Sequence, residues 1–206
     1  MKYIFLVGAP GSKWSSVAKN IYYSPSIDRT DFSHARTYYH AAWGEPQLMH
    51  LGAYFDPGME FGDWFDRLSD HTRSECEAEF DRPFSGEGVR IIKSHVFAHH
   101  IPFLRRTWPD CPIIMVHRDD DACLGWWVRC GHFNITYPLY HDYYKDLRHM
   151  SWCIDQQNHA ILDAIHSAAT EKPRDNLELC NMLGIEAPPP NYHQNYDDSD
   201  IAVHLL

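Results

Sequence analysis

The stretch RIIKSHVFAHHIPFLRRTWPDCPIIMVHR, residues 90–118, contains two short apolar runs with a helical segment between them. The runs at 89–92 and 112–116 lack polar alternation, which is typical of strands buried on both faces of a parallel sheet. The residues between them, about 98–107, predict a helix. Strand, helix and strand in this order form the right-handed crossover unit of an α/β fold.

The same alternation occurs on both sides of this stretch. An apolar run at 3–7 predicts a first strand, and 15–22 predicts the helix that follows it. Further helices are predicted near 61–80, 121–130, 140–169 and 176–185, the last one ended by Gly184. We therefore predict one α/β domain over 1–206, with a central parallel sheet flanked by helices. The proline run and acidic residues predict an extended end over about 187–206.

Composition and charge argue against several classes of function. The 18 Lys and Arg against 28 Asp and Glu give a formal net charge of −10, so the surface should repel nucleic acids and anionic membranes. No segment approaches the roughly 18 consecutive apolar residues of a membrane span, and the first run is too short for a secretory leader, which predicts a cytoplasmic protein. The 6 cysteines form no Cys-x-x-Cys pair and the 15 histidines form no His-Glu-x-x-His motif, so we expect reduced thiols and no metal.

Polar residues follow each of the three apolar runs directly. They occupy 8–16, 93–95 and 117–121. In open α/β sheets, ligands bind at the carboxyl ends of the strands. We therefore expect the three polar segments to share one crevice.

The first of these segments has the composition of a phosphate-binding loop. A glycine- and proline-containing turn between a strand and a helix directs backbone N–H groups and a helix N-terminus at anions. The candidate binding residues are Pro10, Gly11, Ser12, Lys13, Trp14, Ser15 and Ser16. The order is not that of a Walker A loop, because Trp14 separates Lys13 from Ser15. The alternative is that glycine and proline only turn the chain and Ser15 caps the helix.

Taken together, the three segments resemble the sulfotransferases that use 3′-phosphoadenosine 5′-phosphosulfate. That family has a strand ending in Lys-Thr-His, matched here by Lys93-Ser94-His95, and a later strand ending in the arginine that holds the nucleotide 3′-phosphate, matched by Arg118. Its first loop grips the 5′-phosphosulfate and is matched by 10–15. The resemblance implies a P-loop nucleotide-hydrolase-like sulfotransferase fold, this phosphosulfate as donor, 3′-phosphoadenosine 5′-phosphate as product and no metal.

The sequence departs from the family pattern at both phosphate-binding segments. Gly11 stands where the family has a basic residue, and Lys13 stands where the family has glycine. Residues 119–121 are all aspartate, and Trp126 replaces a serine that also binds the 3′-phosphate. Three carboxylates beside a phosphate are repulsive, whereas one of them capping the following helix would be favourable.

Sulfuryl transfer needs a base for the acceptor proton and positive charge on the leaving phosphate oxygen. His95 fits the base, because a neutral imidazole accepts a proton readily, and Lys93 and Lys13 fit the charge. The alternative for His95 is a partly buried histidine bonded to a backbone carbonyl. The alternative for Lys93 is a surface salt bridge, and for Arg118 it is pairing with the aspartates at 119–121.

These features predict a sulfotransferase that acts on a hydroxyl or amine of a small-molecule or glycan acceptor. The segments expected to shape the acceptor pocket are 32–84 and 133–144, and they do not identify the acceptor. Two alternatives stay open, a small-molecule kinase using the first loop for ATP and a nucleotide-binding protein that has lost turnover.

Overall fold

The computed structural model describes residues 1–33, 38–40, 47–130, 145–197 and 199–206, with 38–40 and 47–50 described in their backbone alone. In chain order the elements are β1 Tyr3–Gly8, α1 Trp14–Tyr22, β2 Tyr38–His40, β3 Gln47–His50, α2 Arg73–Asp81, β4 Arg90–Lys93, α3 Ile101–Thr107, β5 Ile113–His117, α4 Asp120–Arg129, α5 Leu147–Ser167, α6 Asn176–Leu183 and β6 Ala202–Leu205. Short 3-10 helices cover Phe65–Asp70, Val96–His100 and Pro190–Tyr192.

The three predicted strands are all present and pair in parallel. The main sheet has the order β4-β1-β5-β6, with Ile4 opposite Ile91 and Phe5 opposite Ile113. The strand β6 lies antiparallel to β5, so the sheet is mixed and the prediction of a parallel sheet is wrong at this edge. A second sheet consists of β2 and β3 in antiparallel pairing.

The edge strand β6 was not predicted, because the residues before it are typical of an extended end. Its residues alternate between half-buried and buried side chains, with Val203 and Leu205 buried. This period of two is the pattern of an edge strand with one face on the core. Four residues are a weak signal after a proline run and several aspartates, so the sequence predicted only an extended end there.

The main sheet separates two hydrophobic clusters, because successive residues of a strand point to opposite faces. Ile4 and Leu6 of β1 belong to the cluster that contains the apolar face of α1. Phe5 and Val7 belong to the cluster that contains Phe97 and the apolar side of α3. The connections after the neighbouring strands β1 and β4 therefore cover opposite faces, and such a change of side opens a crevice at the carboxyl ends of the two strands.

The predicted helices are present with local corrections. The segment 61–80 is a 3-10 helix followed by α2, because Thr72 starts a new helix with a capping box to Glu75. The segment 98–107 begins as a 3-10 helix and continues as α3, with Pro102 in the first turn, where a missing N–H costs nothing. The last helix ends at Gly184 in the left-handed conformation, as predicted.

The longest helix, α5, has 21 residues and carries polar as well as apolar side chains on its buried face. The predicted helix 140–169 contains it, and 140–144 lie outside the described residues. Among the described residues, no helix combines the length and the apolar character that a bilayer crossing requires.

Candidate functional site

The loop after β1 forms a tight turn with two residues in the left-handed region. Gly11 has φ 81° and Lys13 has φ 62°, and the Ser12 N–H donates to the Ala9 carbonyl at 3.0 Å. Within the described part of the chain, the N–H groups of Gly11 and Lys13 donate to no acceptor. The helix α1 starts directly after this turn at Trp14, so its N-terminus and the loop amides lie together.

Gly11 is required here by conformation and by packing. A Cβ on Gly11 would lie 2.0 Å from the backbone oxygen of Cys123 in α4. The absence of a basic side chain at this position, which the resemblance marked as a departure, therefore follows from the close approach of α4 to the loop.

The loop hydroxyls differ in what they contact. The Ser16 hydroxyl donates to the Lys13 carbonyl at 2.8 Å, inside the first turn of α1. Ser12 is fully buried, and in the described structure its Oγ has no hydrogen-bond partner. Ser15 and Pro10 are buried, and Lys13 occupies the N-cap position without a side-chain cap bond, so the alternative of Ser15 as the cap is not what the structure has.

Two of the predicted cations converge on one carboxylate. Lys13 Nζ lies 2.5 Å from Asp200 Oδ1, and Arg118 donates to Asp200 Oδ2 from Nε at 2.8 Å and also from Nη2. Both cations lie over the ring of Trp126, with Lys13 Nζ at 5.2 Å and the Arg118 guanidinium carbon at 5.8 Å from its centroid. We call Lys13 and Arg118 the cation pair; the ring of Trp126 lies beneath both.

Arg118 is held in place by several contacts. Its Nη1 donates to the Gly11 carbonyl at 2.9 Å, and the backbone carbonyl of Arg118 accepts from Asn158 Nδ2 of α5 at 2.8 Å. The side chain is 7% exposed, so its charge is only partly solvated. Asp119 Oδ1 accepts from two N–H groups at the start of α4, which confirms that one of the three aspartates caps this helix. Arg118 pairs with Asp200 rather than with the capping aspartate.

Lys93 lies in the interior at the end of β4. It is 3% exposed, and its Nζ donates to the Leu51 carbonyl at 2.5 Å. Burial lowers the pKa of Lys93 to about 8, against the opposing effect of the Asp31 carboxylate. The alternative of a surface salt bridge does not describe it, since the amine is buried and bonded to backbone.

His95 is packed between two aromatic rings in the crevice at the ends of β1 and β4. Its imidazole stacks on Trp14 with 4.1 Å between ring centroids and meets Tyr54 edge to face at 5.5 Å. Its Nδ1 hydrogen-bonds to the Gly8 carbonyl, which can only accept, so Nδ1 carries the proton and Nε2 has the lone pair. Burial lowers the pKa of His95 to about 3 and keeps the ring neutral.

Asp56 organises this end of β4, and sequence reasoning did not identify it. Its Oδ1 accepts from the Ser94 hydroxyl at 2.7 Å and from the His95 N–H at 3.1 Å, and its Oδ2 accepts from the Tyr54 hydroxyl. Burial raises the pKa of Asp56 to about 7, although its hydrogen bonds favour the ionised form. Asp56 is 38 residues from Ser94 and precedes a Pro-Gly turn, so its sequence context indicates only a loop.

An open cleft of about 440 Å³ lies at the opposite end of β5. It is lined by Ile101, Pro102, Arg105, Arg106, Ala164, Ser167, Ala168 and Leu206, and Leu206 pairs with Ile113 at the start of β5. None of the predicted site residues lines it. The cleft lies between α3 and the C-terminal end of α5, and Arg105 and Arg106 stand in the last turn of α3, where the helix dipole favours cations.

The predicted residues thus form two groups. Lys13 and Arg118 meet beside Gly11, whereas His95 and Trp14 meet beside Gly8, and Lys93 is bonded to Leu51.

The predicted acceptor segment 133–144 lies outside the described residues. Among the residues that the structure covers, no group of three or more His, Cys, Asp or Glu side chains is arranged to hold a metal ion.

No protein-family model, curated protein or solved structure matches the chain, so these distances and contacts are the basis for inferring its function.

Proposed function

We propose that the chain has a P-loop nucleotide-hydrolase-like sulfotransferase fold and transfers a sulfuryl group from 3′-phosphoadenosine 5′-phosphosulfate to a hydroxyl or amine of a small-molecule or glycan acceptor. The observation that carries the proposal is the convergence of Lys13 and Arg118, from the ends of two adjacent parallel strands, on one carboxylate. Two cations that hold a carboxylate between them have the charge and donor geometry that suit a phosphate oxygen.

The loop after β1 supports an anion at this place. The amides of Gly11 and Lys13, which bond to no acceptor of the described chain, adjoin the N-terminus of the nine-residue helix α1. Lys13 has the left-handed conformation for which glycine is best suited, and the family that the sequence resembles has glycine at this position. The buried Ser12 hydroxyl, which has no partner among the described residues, is a further donor in the same loop.

In the proposed reaction the acceptor oxygen or nitrogen forms a bond to sulfur while the bond from sulfur to the bridging phosphate oxygen breaks. The electron pair of that bond leaves on 3′-phosphoadenosine 5′-phosphate. The acceptor proton goes to Nε2 of His95, whose Nδ1 is held by the Gly8 carbonyl. Lys13 and Arg118 stabilise the negative charge that develops on the phosphate.

His95 is a weak base in the arrangement described, because burial lowers its pKa to about 3. A donor carrying several negative charges beside the ring would favour the protonated imidazole and raise this pKa toward the range useful for catalysis. The proposal therefore requires the donor to bind before His95 can act. Lys93, bonded to Leu51, assists in this proposal by holding the end of β4, and its direct contact with the sulfuryl group stays a prediction.

The decisive test measures thermal stabilisation by adenosine nucleotides with and without a 3′-phosphate. We expect 3′-phosphoadenosine 5′-phosphate to raise the melting temperature and 5′-AMP to have a much smaller effect. Transfer from labelled donor to a panel of phenols, sugars and amines is then measured for wild type and His95→Ala. If His95→Ala still transfers the sulfuryl group, His95 is not the base. If both nucleotides stabilise the protein equally, 3′-phosphoadenosine 5′-phosphosulfate is not the donor.

A second candidate is a nucleotide-binding protein without turnover, and the stacking of Trp14 on His95 favours it. The indole covers one face of the proposed base with 4.1 Å between centroids, in a crevice where an acceptor would have to approach. Selective binding of the 3′-phosphorylated nucleotide without transfer to any acceptor, in wild type and in Trp14→Ala alike, would support this candidate over the enzyme.

A further inference from the structure

Asp200 belongs to a short bend that is anchored on both sides. On one side Tyr196 is buried and its carbonyl accepts from the Ser199 N–H at 3.1 Å, and on the other side Ile201 is buried and directly precedes β6. The Asp200 side chain itself is 47% exposed. The carboxylate can therefore rotate into water without moving Ile201 or β6.

The carboxylate makes the contacts that a bound phosphate would make. It accepts from Lys13 with one oxygen and from two nitrogens of Arg118 with the other. Partial burial alone would raise the pKa of Asp200, but the hydrogen bonds from Lys13 and Arg118 outweigh it and the net shift of the pKa is downward. Asp200 is accordingly an anion throughout the neutral range, and a second anion cannot share these donors without strong repulsion.

We infer that Asp200 is an internal competitor for the anionic ligand of the Lys13–Arg118 pair, so that ligand binding requires its carboxylate to leave both cations. The inference rests on the proposed function for the identity of the ligand as a phosphate-bearing nucleotide. A ligand that can bind only the open form has its affinity reduced by the fraction of molecules that are open. If Asp200 occupies the pair in about nine molecules of ten, its removal strengthens binding about tenfold.

The competing explanation is that Asp200 only ties the segment before β6 to the sheet. A purely structural tie and a competitor differ in their effect on ligand affinity. Loss of either lowers stability, because Arg118 then lacks its partner. Only loss of a competitor strengthens binding.

The experiment compares wild type, Asp200→Asn and Asp200→Ser by calorimetric titration with 3′-phosphoadenosine 5′-phosphate at fixed ionic strength. The matched control is Asp197→Asn, which removes the same charge from the same exposed bend and forms no described ion pair with Lys13 or Arg118. We expect both Asp200 variants to bind about tenfold more tightly and the control to bind as wild type does. We also expect the ligand-free melting temperature of the Asp200 variants to fall by about 2–4 °C.

Each of the other possible results supports or overturns the role of Asp200 as a competitor. If wild type binds the nucleotide and both Asp200 variants bind it with the same affinity, the proposed function stands but the competitor role is overturned. Failure of both Asp200 variants to fold, judged by circular dichroism, also overturns it in favour of a structural tie. If no protein binds the nucleotide, the proposed function fails, and titration with inorganic pyrophosphate then tests Asp200 alone. A tenfold gain for pyrophosphate keeps the competitor role, and no gain ends it.

Discussion

The ends of two neighbouring strands use their charged groups in opposite ways. After β4, Lys93, Ser94 and His95 are all buried and each has a hydrogen-bond partner inside the protein. Beside β1 and β5, Lys13 and Arg118 meet a carboxylate that is about half exposed. The β4 end is a closed network around Asp56, whereas the cation pair lies where a solute can reach its partner.

The difference shows that a segment can match the family motif closely while most of its polar side-chain atoms are bonded inside the protein and not available to a ligand. The Lys-Ser-His segment is the closest match to the family pattern, yet its lysine amine, its serine hydroxyl and His95 Nδ1 are all bonded to buried groups of the fold, which leaves His95 Nε2. The cation pair belongs to segments that depart from the pattern, and it retains the geometry of an anion site. Variants at the two ends should therefore differ mainly in whether stability or ligand affinity changes.

The largest effect is expected for Asp56→Ala at the β4 end. This change leaves the Ser94 hydroxyl, the Tyr54 hydroxyl and the His95 N–H buried without their acceptor. Several unsatisfied donors in a dry site should lower the free energy of unfolding by about 3 kcal/mol or more. Urea denaturation measures it, and Asp56→Asn, which keeps the shape and one carbonyl oxygen, should lose clearly less. A loss below about 1 kcal/mol for Asp56→Ala would show that this network is not what holds the β4 end.

The next effect is a pH dependence that separates His95 from Asp56. The His95 pKa is about 3 in the folded state against 6.5 when unfolded, so below pH 6.5 only the unfolded chain takes up this proton and stability falls with falling pH. The Asp56 pKa is about 7 when folded against 3.8 when unfolded, so between these values stability rises with falling pH. The two contributions oppose each other between pH 3.8 and 6.5.

His95→Gln removes one of the two and makes the other visible. Relative to wild type, this variant should gain about 2 kcal/mol of unfolding free energy between pH 6.5 and pH 5, at about 1.4 kcal/mol per pH unit. Urea denaturation at several pH values measures the difference. Asp200→Asn is the control, since the pKa of Asp200 is lowered below 3.8 and its contribution does not change in this window. A constant difference between His95→Gln and wild type would mean that His95 is not held neutral by burial.

At the cation pair, Arg118→Met should weaken binding of 3′-phosphoadenosine 5′-phosphate at least about tenfold, because one charge-assisted hydrogen bond is worth about 1.5–3 kcal/mol. Arg118→Lys keeps the charge without the planar fork and should recover part of the affinity. Calorimetric titration measures both. Equal affinity in wild type and Arg118→Met would place the nucleotide elsewhere, so the cation pair would not be its binding site.

The smallest effect is expected for Lys13→Gly, which separates backbone conformation from charge. Glycine relieves the left-handed strain at φ 62° and should offset the loss of a half-exposed ion pair, so the melting temperature should change by less than about 3 °C. Lys13→Met loses the same charge and keeps the strain, so it should melt lower than Lys13→Gly. Both should bind the nucleotide more weakly than wild type. A higher melting temperature for Lys13→Met than for Lys13→Gly would contradict the strain at this position.

The α/β class, the three parallel strands and the order of loop and helix after β1 were all predictable from local sequence patterns. Runs such as 3–7 and 112–116 are apolar at every position, and this pattern depends only on local composition. The same pattern also located both cations of the pair, since Arg118 directly follows β5 and Lys13 lies in the loop after β1. What these local patterns could not determine is which groups meet across 38 or 82 residues of chain, as Asp56 meets Ser94 and Asp200 meets Arg118.

The roles of the charged groups depend on contacts between distant segments of the chain. Asp56 and Asp200 are carboxylates in loop-like segments and look alike in sequence, yet one is buried among hydroxyl and amide donors and the other bridges two cations at the surface. The same holds for β6, whose four residues become a strand because β5 offers them an edge to pair with. Burial and partner choice arise from how distant segments pack, and packing sets whether a histidine titrates, whether a lysine is available and which anion an arginine holds.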